Sequence, residues 1–137
     1  MTPDEKHRVF NSGDFKSLSD GQRRIFRQVV EDLDSRGLFK PTDVPIIASY
    51  SRNVLLARLA SRELEKNGLL LTEVDKYHGK RTKQNPAVDI LQKAQISMEK
   101  TAALLGLTPT GRKRMKGEGA PEKSELDVFI EKMNDGD

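Results

Sequence analysis

The sequence predicts a mainly α-helical protein, on three observations. Apolar residues recur at helical spacing over residues 19–36, 43–67 and 86–105. Each of these stretches opens on a capping residue or a proline and ends against a glycine, at Gly37, Gly68 and Gly106. Extended character is confined to residues 69–82. The expected architecture is a three-helix core with either a small β-hairpin or an extended loop, followed by a flexible C-terminal amphipathic segment, in an oligomeric assembly.

Residues 1–18 mix charges with Asn11 and Gly13 and offer Val9, Phe10 and Phe15 as large apolar groups, which reads as a loose N-terminal arm. Over 19–36, Ser19 with Gln22 forms a capping box, and Ile25, Phe26, Val29, Val30 and Leu33 fall on one helical face. Arg23, Arg24 and Arg27 stand near its start. The stretch 43–67 has Pro45 in its first turn, an expected buried set of Ile46, Ile47, Tyr50, Val54, Leu55, Leu59 and Leu64, and Arg52, Arg58, Arg62 and Lys66 on its other face. Residues 69–82 combine apolar Leu69 to Leu71 with the turn-like Tyr77, His78 and Gly79.

Asn85 can cap the next helix by accepting a hydrogen bond from an orphan amide. Pro86 suits the first helical position, because its missing N–H would have had no partner there. At 100° per residue, Ala87, Ile90, Leu91, Ala94, Met98, Ala102 and Leu105 gather into one stripe, while Val88, Ile96 and Ala103 lie roughly opposite. The second stripe needs its own partner. A neighbouring copy would serve, with Val88, Ile96 and Ala103 as its oligomerisation residues; the alternative is cover from the chain's own C-terminal segment. Gly106 sits where a left-handed residue ends a helix, and Thr108-Pro109 starts another, followed at once by Arg112, Lys113, Arg114 and Lys116. Beyond it Gly117, Gly119 and Pro121 have linker composition. Leu126, Phe129, Ile130 and Met133 then recur at helical spacing over a run too short to be stable alone. The division is an arm (1–18), a helical core and oligomerisation domain with basic loops (19–116), and an acidic tail (117–137).

At 137 residues, 35% hydrophobic and 33% charged, the chain has enough apolar material for one modest core, so some burial is expected between subunits. With no cysteine, disulfides and thiolate metal sites are excluded. No apolar run approaches the ~20 residues of a membrane span, and the N-terminus lacks an apolar signal core; the expected location is the cytoplasm. The net charge of +3 hides an asymmetry: residues 117–137 hold seven acids against Lys123 and Lys132, a net −5, leaving +8 on residues 1–116. A basic body with an acidic end fits a polyanion on one part and a different partner on the other.

Catalytic signatures are missing. His7 and His78 have no second histidine or acid at ligand spacing, so no metal or other cofactor is expected. Glu31, Asp32 and Asp34 cluster on what reads as a solvated helix end, Gly79-Lys80 lacks Walker spacing, and no serine lies in a GxSxG context. The chain is expected not to be an enzyme. Candidate DNA-binding residues are Lys76, Lys80, Arg81 and Lys83 around the turn, and Arg112, Lys113, Arg114 and Lys116 after Pro109. Two tyrosines and five phenylalanines give little for base stacking, so duplex backbone contact fits better than single-strand recognition.

An NP opening a long helix and a GLTP closing it before a basic segment, over residues 85–115, resembles the small subunit of tailed-phage terminases. The likeness is looser over 19–68. The matching residues, Asn85, Pro86, Gly106, Leu107, Thr108 and Pro109, look structural. The resemblance implies a non-catalytic subunit, assembled into a homo-oligomeric ring, that binds double-stranded phage DNA and recruits and regulates the large ATPase-nuclease subunit in the host cytoplasm. The large subunit is then the expected host for Leu126, Phe129, Ile130 and Met133 as partner-docking residues. The alternatives are a dimeric helical DNA-binding regulator, and a head-assembly adaptor without a nucleic-acid role.

Overall fold

The computed structural model describes residues 1–116, together with Lys132 and Met133. Six α-helices and one hairpin occupy the described residues: α1 (Pro3–Phe10), α2 (Gly13–Lys16), α3 (Asp20–Ser35), α4 (Val44–Asn67), β1 (Leu70–Asp75), β2 (Gly79–Gln84), α5 (Ala87–Leu105) and α6 (Pro109–Met115). A 3-10 turn, Pro41–Asp43, leads into α4.

Residues 1–18, expected to be a loose arm, instead form α1 and α2. Thr2 caps α1 and Ser12 caps α2, each hydroxyl accepting the amide three residues on. Val9, Phe15 and Leu18 are buried, and Phe15 sits with Phe10 and Phe26 in an aromatic cluster whose centroids lie 5.1–6.2 Å apart. Few apolar residues suffice here because each is placed in the core by a capped turn. The core is therefore larger than three helices.

The expected capping box at α3 is present: Ser19 Oγ accepts the Gln22 amide and Gln22 Oε1 accepts the Ser19 amide. Ile25, Phe26, Val29, Val30 and Leu33 are all buried. The helix ends as a Schellman motif, with the Leu38 amide donating to Leu33 O and the Gly37 amide to Asp34 O around a left-handed Gly37.

α4 departs from its expected buried set. Ile47 and Val54 are buried and Ile46, Tyr50, Leu55 and Leu64 are half-buried, but Leu59 is 51% exposed. The interior is built instead from Val44, Ala48, Ser51, Ala57 and Ala60. The reason is α5, which runs back antiparallel along α4 and presents Ala87 and Ala94 as its own buried residues. Small side chains let two helix backbones approach closely, so the seam selects alanine over leucine and turns Leu56 and Leu59 outward. Ile90, expected in the main stripe of α5, is likewise exposed.

Asn85, only 2% exposed, closes the arm at the base of the hairpin. Its Nδ2 donates to Gly68 O at 3.0 Å, its Oδ1 accepts the Ala87 amide at 3.0 Å, and its own amide donates to Leu69 O at 2.8 Å. One side chain thus terminates α4 and starts α5. At the other end Gly106, at φ 76°, closes α5 as a second Schellman motif: Leu107 N–H donates to Ala102 O and Gly106 N–H to Ala103 O. Leu105 returns the chain to the core cluster, and Leu107 packs against it.

α6 then packs against the last turn of α5 through Gly111, where an added Cβ would lie 2.2 Å from Ala103 O. Ala103 is covered in this way by its own chain. Replacing Gly111 with alanine should force α6 away from α5 at an overpacking cost of about 1–3 kcal/mol. Hydrogen exchange should speed up at the α6 amides while α3 and α4 keep their protection. Unchanged α6 protection would mean that the close approach is not enforced.

Candidate nucleic-acid interface

The hairpin sits where α4 hands over to α5. Its register pairs Leu70 with Gln84, Leu71 with Lys83, Thr72 with Thr82, Glu73 with Arg81, Val74 with Lys80 and Asp75 with Gly79. Side chains alternate across a strand, so Leu70, Val74, Lys80, Thr72 and Thr82 share one face, while Leu71, Glu73, Arg81 and Lys83 share the other. The candidate cations are therefore split. Lys80 stands beside Val74. Lys83 is ion-paired diagonally with Glu73, next to Arg81. Lys76 lies over the Tyr77 ring, 6.0 Å from its centroid. All four cations are exposed.

Asp75 shapes the turn. Its Oδ1 accepts the Tyr77 amide at 3.0 Å and its Oδ2 lies 2.8 Å from His78 Nδ1. Those two hydrogen bonds, the Tyr77 amide first, hold the Asp75 carboxyl below its ordinary value. Glu73 is held below its own chiefly by the Lys83 hydrogen bond and charge, with Arg81 adding to the pull.

The second cluster is built by α6. Thr108 Oγ1 accepts the Gly111 amide at 3.0 Å, so the helix starts where Thr108-Pro109 places it. Lys113, Arg114 and Lys116 are exposed, but Arg112 is half-buried and turns back, its guanidinium 3.5 and 3.4 Å from Gly106 O and Leu107 O. Arg112 thus ties α6 to the turn that follows α5. Between α5 and α6 lies a groove of about 670 Å³ floored by Ala103, Leu104, Gly111 and Met115, with Lys100, Arg114 and the acidic Glu99 on its rim.

The structure does not bring the two clusters together. The hairpin precedes α5 and α6 follows it, and the nineteen residues of α5 span about 28 Å. Other cations are available. Arg58 and Arg62, one turn apart on α4, are exposed beside a groove between α4 and α5 that includes Leu91 and Met98. Arg24 is exposed on α3, whereas Arg23 binds the Phe15 and Lys16 carbonyls and Arg27 stacks on Phe15. The i, i+4 spacing of Arg58 and Arg62 was readable in the sequence; the groove beside them was not. Among the oligomerisation candidates, Ile96 is 54% exposed and points away from α4, Val88 is half-buried, and Ala103 lies under α6. Leu126, Phe129 and Ile130 lie outside the described residues, and Met133 is exposed.

The family model for "Phage terminase, small subunit" matches residues 23–122. The chain belongs to this family. No curated protein and no solved structure matches it. Family membership gives a role in phage DNA packaging, which takes place in the host cytoplasm, and small terminase subunits are generally non-catalytic. The match covers α3 from Arg23, the α4/α5 arm with its hairpin, and all of α6, so both basic clusters lie within the family's own segment. Among the described residues no helix is long and apolar enough to cross a membrane, and no group of three His, Cys, Asp or Glu is placed to hold a metal.

The lowered carboxyl pKa values have a defined sign. A carboxyl depressed on folding contributes stability above its unfolded value, and that contribution is lost as pH falls through the folded one. Both groups are solvent-exposed, so the effect is local to the hairpin. A carbon-detected NMR titration should show Asp75 and Glu73 protonating below the ordinary range for their types, with the hairpin amides shifting in step. Titration of both at ordinary values would show that the turn bonds do not persist in solution.

Proposed function

We propose that this chain is a non-catalytic, homo-oligomeric small terminase subunit that contacts the duplex phosphate backbone through its basic surfaces and recruits and regulates the large ATPase-nuclease subunit. The family match over residues 23–122 carries the reading. The cation placement supports backbone contact over base readout. Helices that read the major groove direct their N-terminal residues at base edges. In α6 those residues are Pro109, Thr110 and Gly111, with Gly111 packed on Ala103, while Lys113, Arg114 and Lys116 stand at the C-terminal end. Assembly into a ring is supported by the arm. Two helices joined by an alanine seam leave Leu56, Leu59, Ile90 and Ile96 exposed, apolar side chains that a second copy can cover.

The DNA interaction is tested by neutralising Lys76, Lys80, Arg81 and Lys83 together with Lys113, Arg114 and Lys116. Affinity should fall for many duplex sequences alike, and the slope of log affinity against log salt should flatten by roughly 0.9 for each phosphate that the protein no longer neutralises. Full affinity with an unchanged slope would place the DNA-binding surface elsewhere, with Arg24, Arg58 and Arg62 among the exposed cations left to test.

Assembly is tested at Ile96. A glutamate there would put an unpaired charge into a dry interface, which costs several kcal/mol. Sedimentation should show the Ile96→Glu protein losing its large assembly while circular dichroism keeps its helical signal. A monomeric wild type, or an unchanged mass for the variant, would contradict the assignment.

A further inference from the structure

We propose that the groove between α5 and α6 seats the chain's own acidic tail, through Leu126, Phe129 and Ile130, and that the seated tail covers the cations of α6. The groove is open and apolar where it matters: Leu104 is 62% exposed on its floor beside Ala103, Gly111 and Met115. It lies at the point where the described chain ends, since Met115 lines it and Lys116 is the next residue. The tail matches it in three respects. Leu126, Phe129 and Ile130 recur at i, i+3 and i+4, the spacing that lays one helical face into a groove. Residues 117–137 carry a net −5, and Lys100 and Arg114 rim the groove with Lys113 and Lys116 close by; Glu99 is the one acid among its described lining residues. Nine residues, 117–125, link Lys116 to Leu126 and reach about 30 Å when extended, so the segment can fold back without strain. A tether of that length holds its end at millimolar effective concentration, which compensates for a small buried face. Met133, 67% exposed, stays outside the seat.

Seating has a consequence that rests on the proposed DNA role. The tail's acids and the phosphate backbone compete for Lys113, Arg114 and Lys116, so a protein that takes the tail frees those cations for DNA. By linkage, DNA must release the tail to the same degree.

The test uses the full chain, whose lack of cysteine makes engineered thiols unique. The double variant Leu104→Cys with Ile130→Cys should form an intrachain disulfide on mild oxidation. The control Leu59→Cys with Ile130→Cys, which uses an exposed leucine on α4, should not. Failure to bridge, equal bridging in the control, or bridges only between chains would overturn the seat. In parallel, Leu126→Gln with Phe129→Gln keeps the tail's charge but removes its apolar face. This variant should bind duplex DNA several-fold more tightly than the wild type, with a steeper salt dependence, and neutralising Lys113, Arg114 and Lys116 should abolish the gain. An unchanged affinity overturns the masking. If no variant binds DNA, the proposed DNA role fails, and the disulfide result still decides the seat on its own.

Discussion

Three hydrogen bonds from one buried residue hold the long arm of this protein together. Asn85 ties the end of α4, the first residue of the hairpin stem and the first turn of α5 into a single node. Without a residue of this kind, the buried Ala87 amide would lack a partner at a cost of about 1–3 kcal/mol, and the Gly68 carbonyl would lose its bond to the stem. The alanine seam between α4 and α5 depends on the same node, because a close helix approach needs both helices held in register from their shared end. The Gly106 turn and Gly111 repeat the logic at the far end, where close backbone approach again replaces bulky packing.

The functional layout follows from that arm. Its two ends present cations in different ways: on a hairpin whose basic residues are partly balanced by Glu73, and on a short helix where Arg112 turns back onto the Gly106–Leu107 turn while Lys113, Arg114 and Lys116 stay exposed. Its sides present leucine and isoleucine that stay exposed among the described residues. An arm with apolar flanks and basic ends is suited to standing beside copies of itself with its ends facing a polyanion. That arrangement agrees with the packaging role that family membership gives.

Local signals in the sequence located most helix ends, because capping is decided within a few residues: Ser19 with Gln22, Gly37, Asn85, Gly106 and Thr108 all act where the sequence places them. Properties set by distant partners were not legible. Hydrophobicity ranks Leu59 above Ala57 and Ala60, yet the seam buries the alanines, since distance of approach rather than transfer free energy decides there. Residues 1–18 looked too polar to fold; two serine or threonine caps and the pocket around Phe26 order them. In the candidate interface the clusters were visible as charge runs. The Lys83–Glu73 pair needed the strand register, and the turn of Arg112 onto Gly106 and Leu107 needed the left-handed end of α5.

The Asn85 node is tested most directly by the stability of Asn85→Ala, measured by urea unfolding at fixed protomer concentration alongside amide exchange. Loss of the cap and of a buried hydrogen bond should lower the unfolding free energy by about 2 kcal/mol. Exchange should quicken first at the amide of residue 85, at Ala87 and at the α5 amides after it, while the α3 core stays protected. A variant as stable as the wild type, with α5 equally protected, would show that the seam alone holds α4 and α5 together and that Asn85 does not.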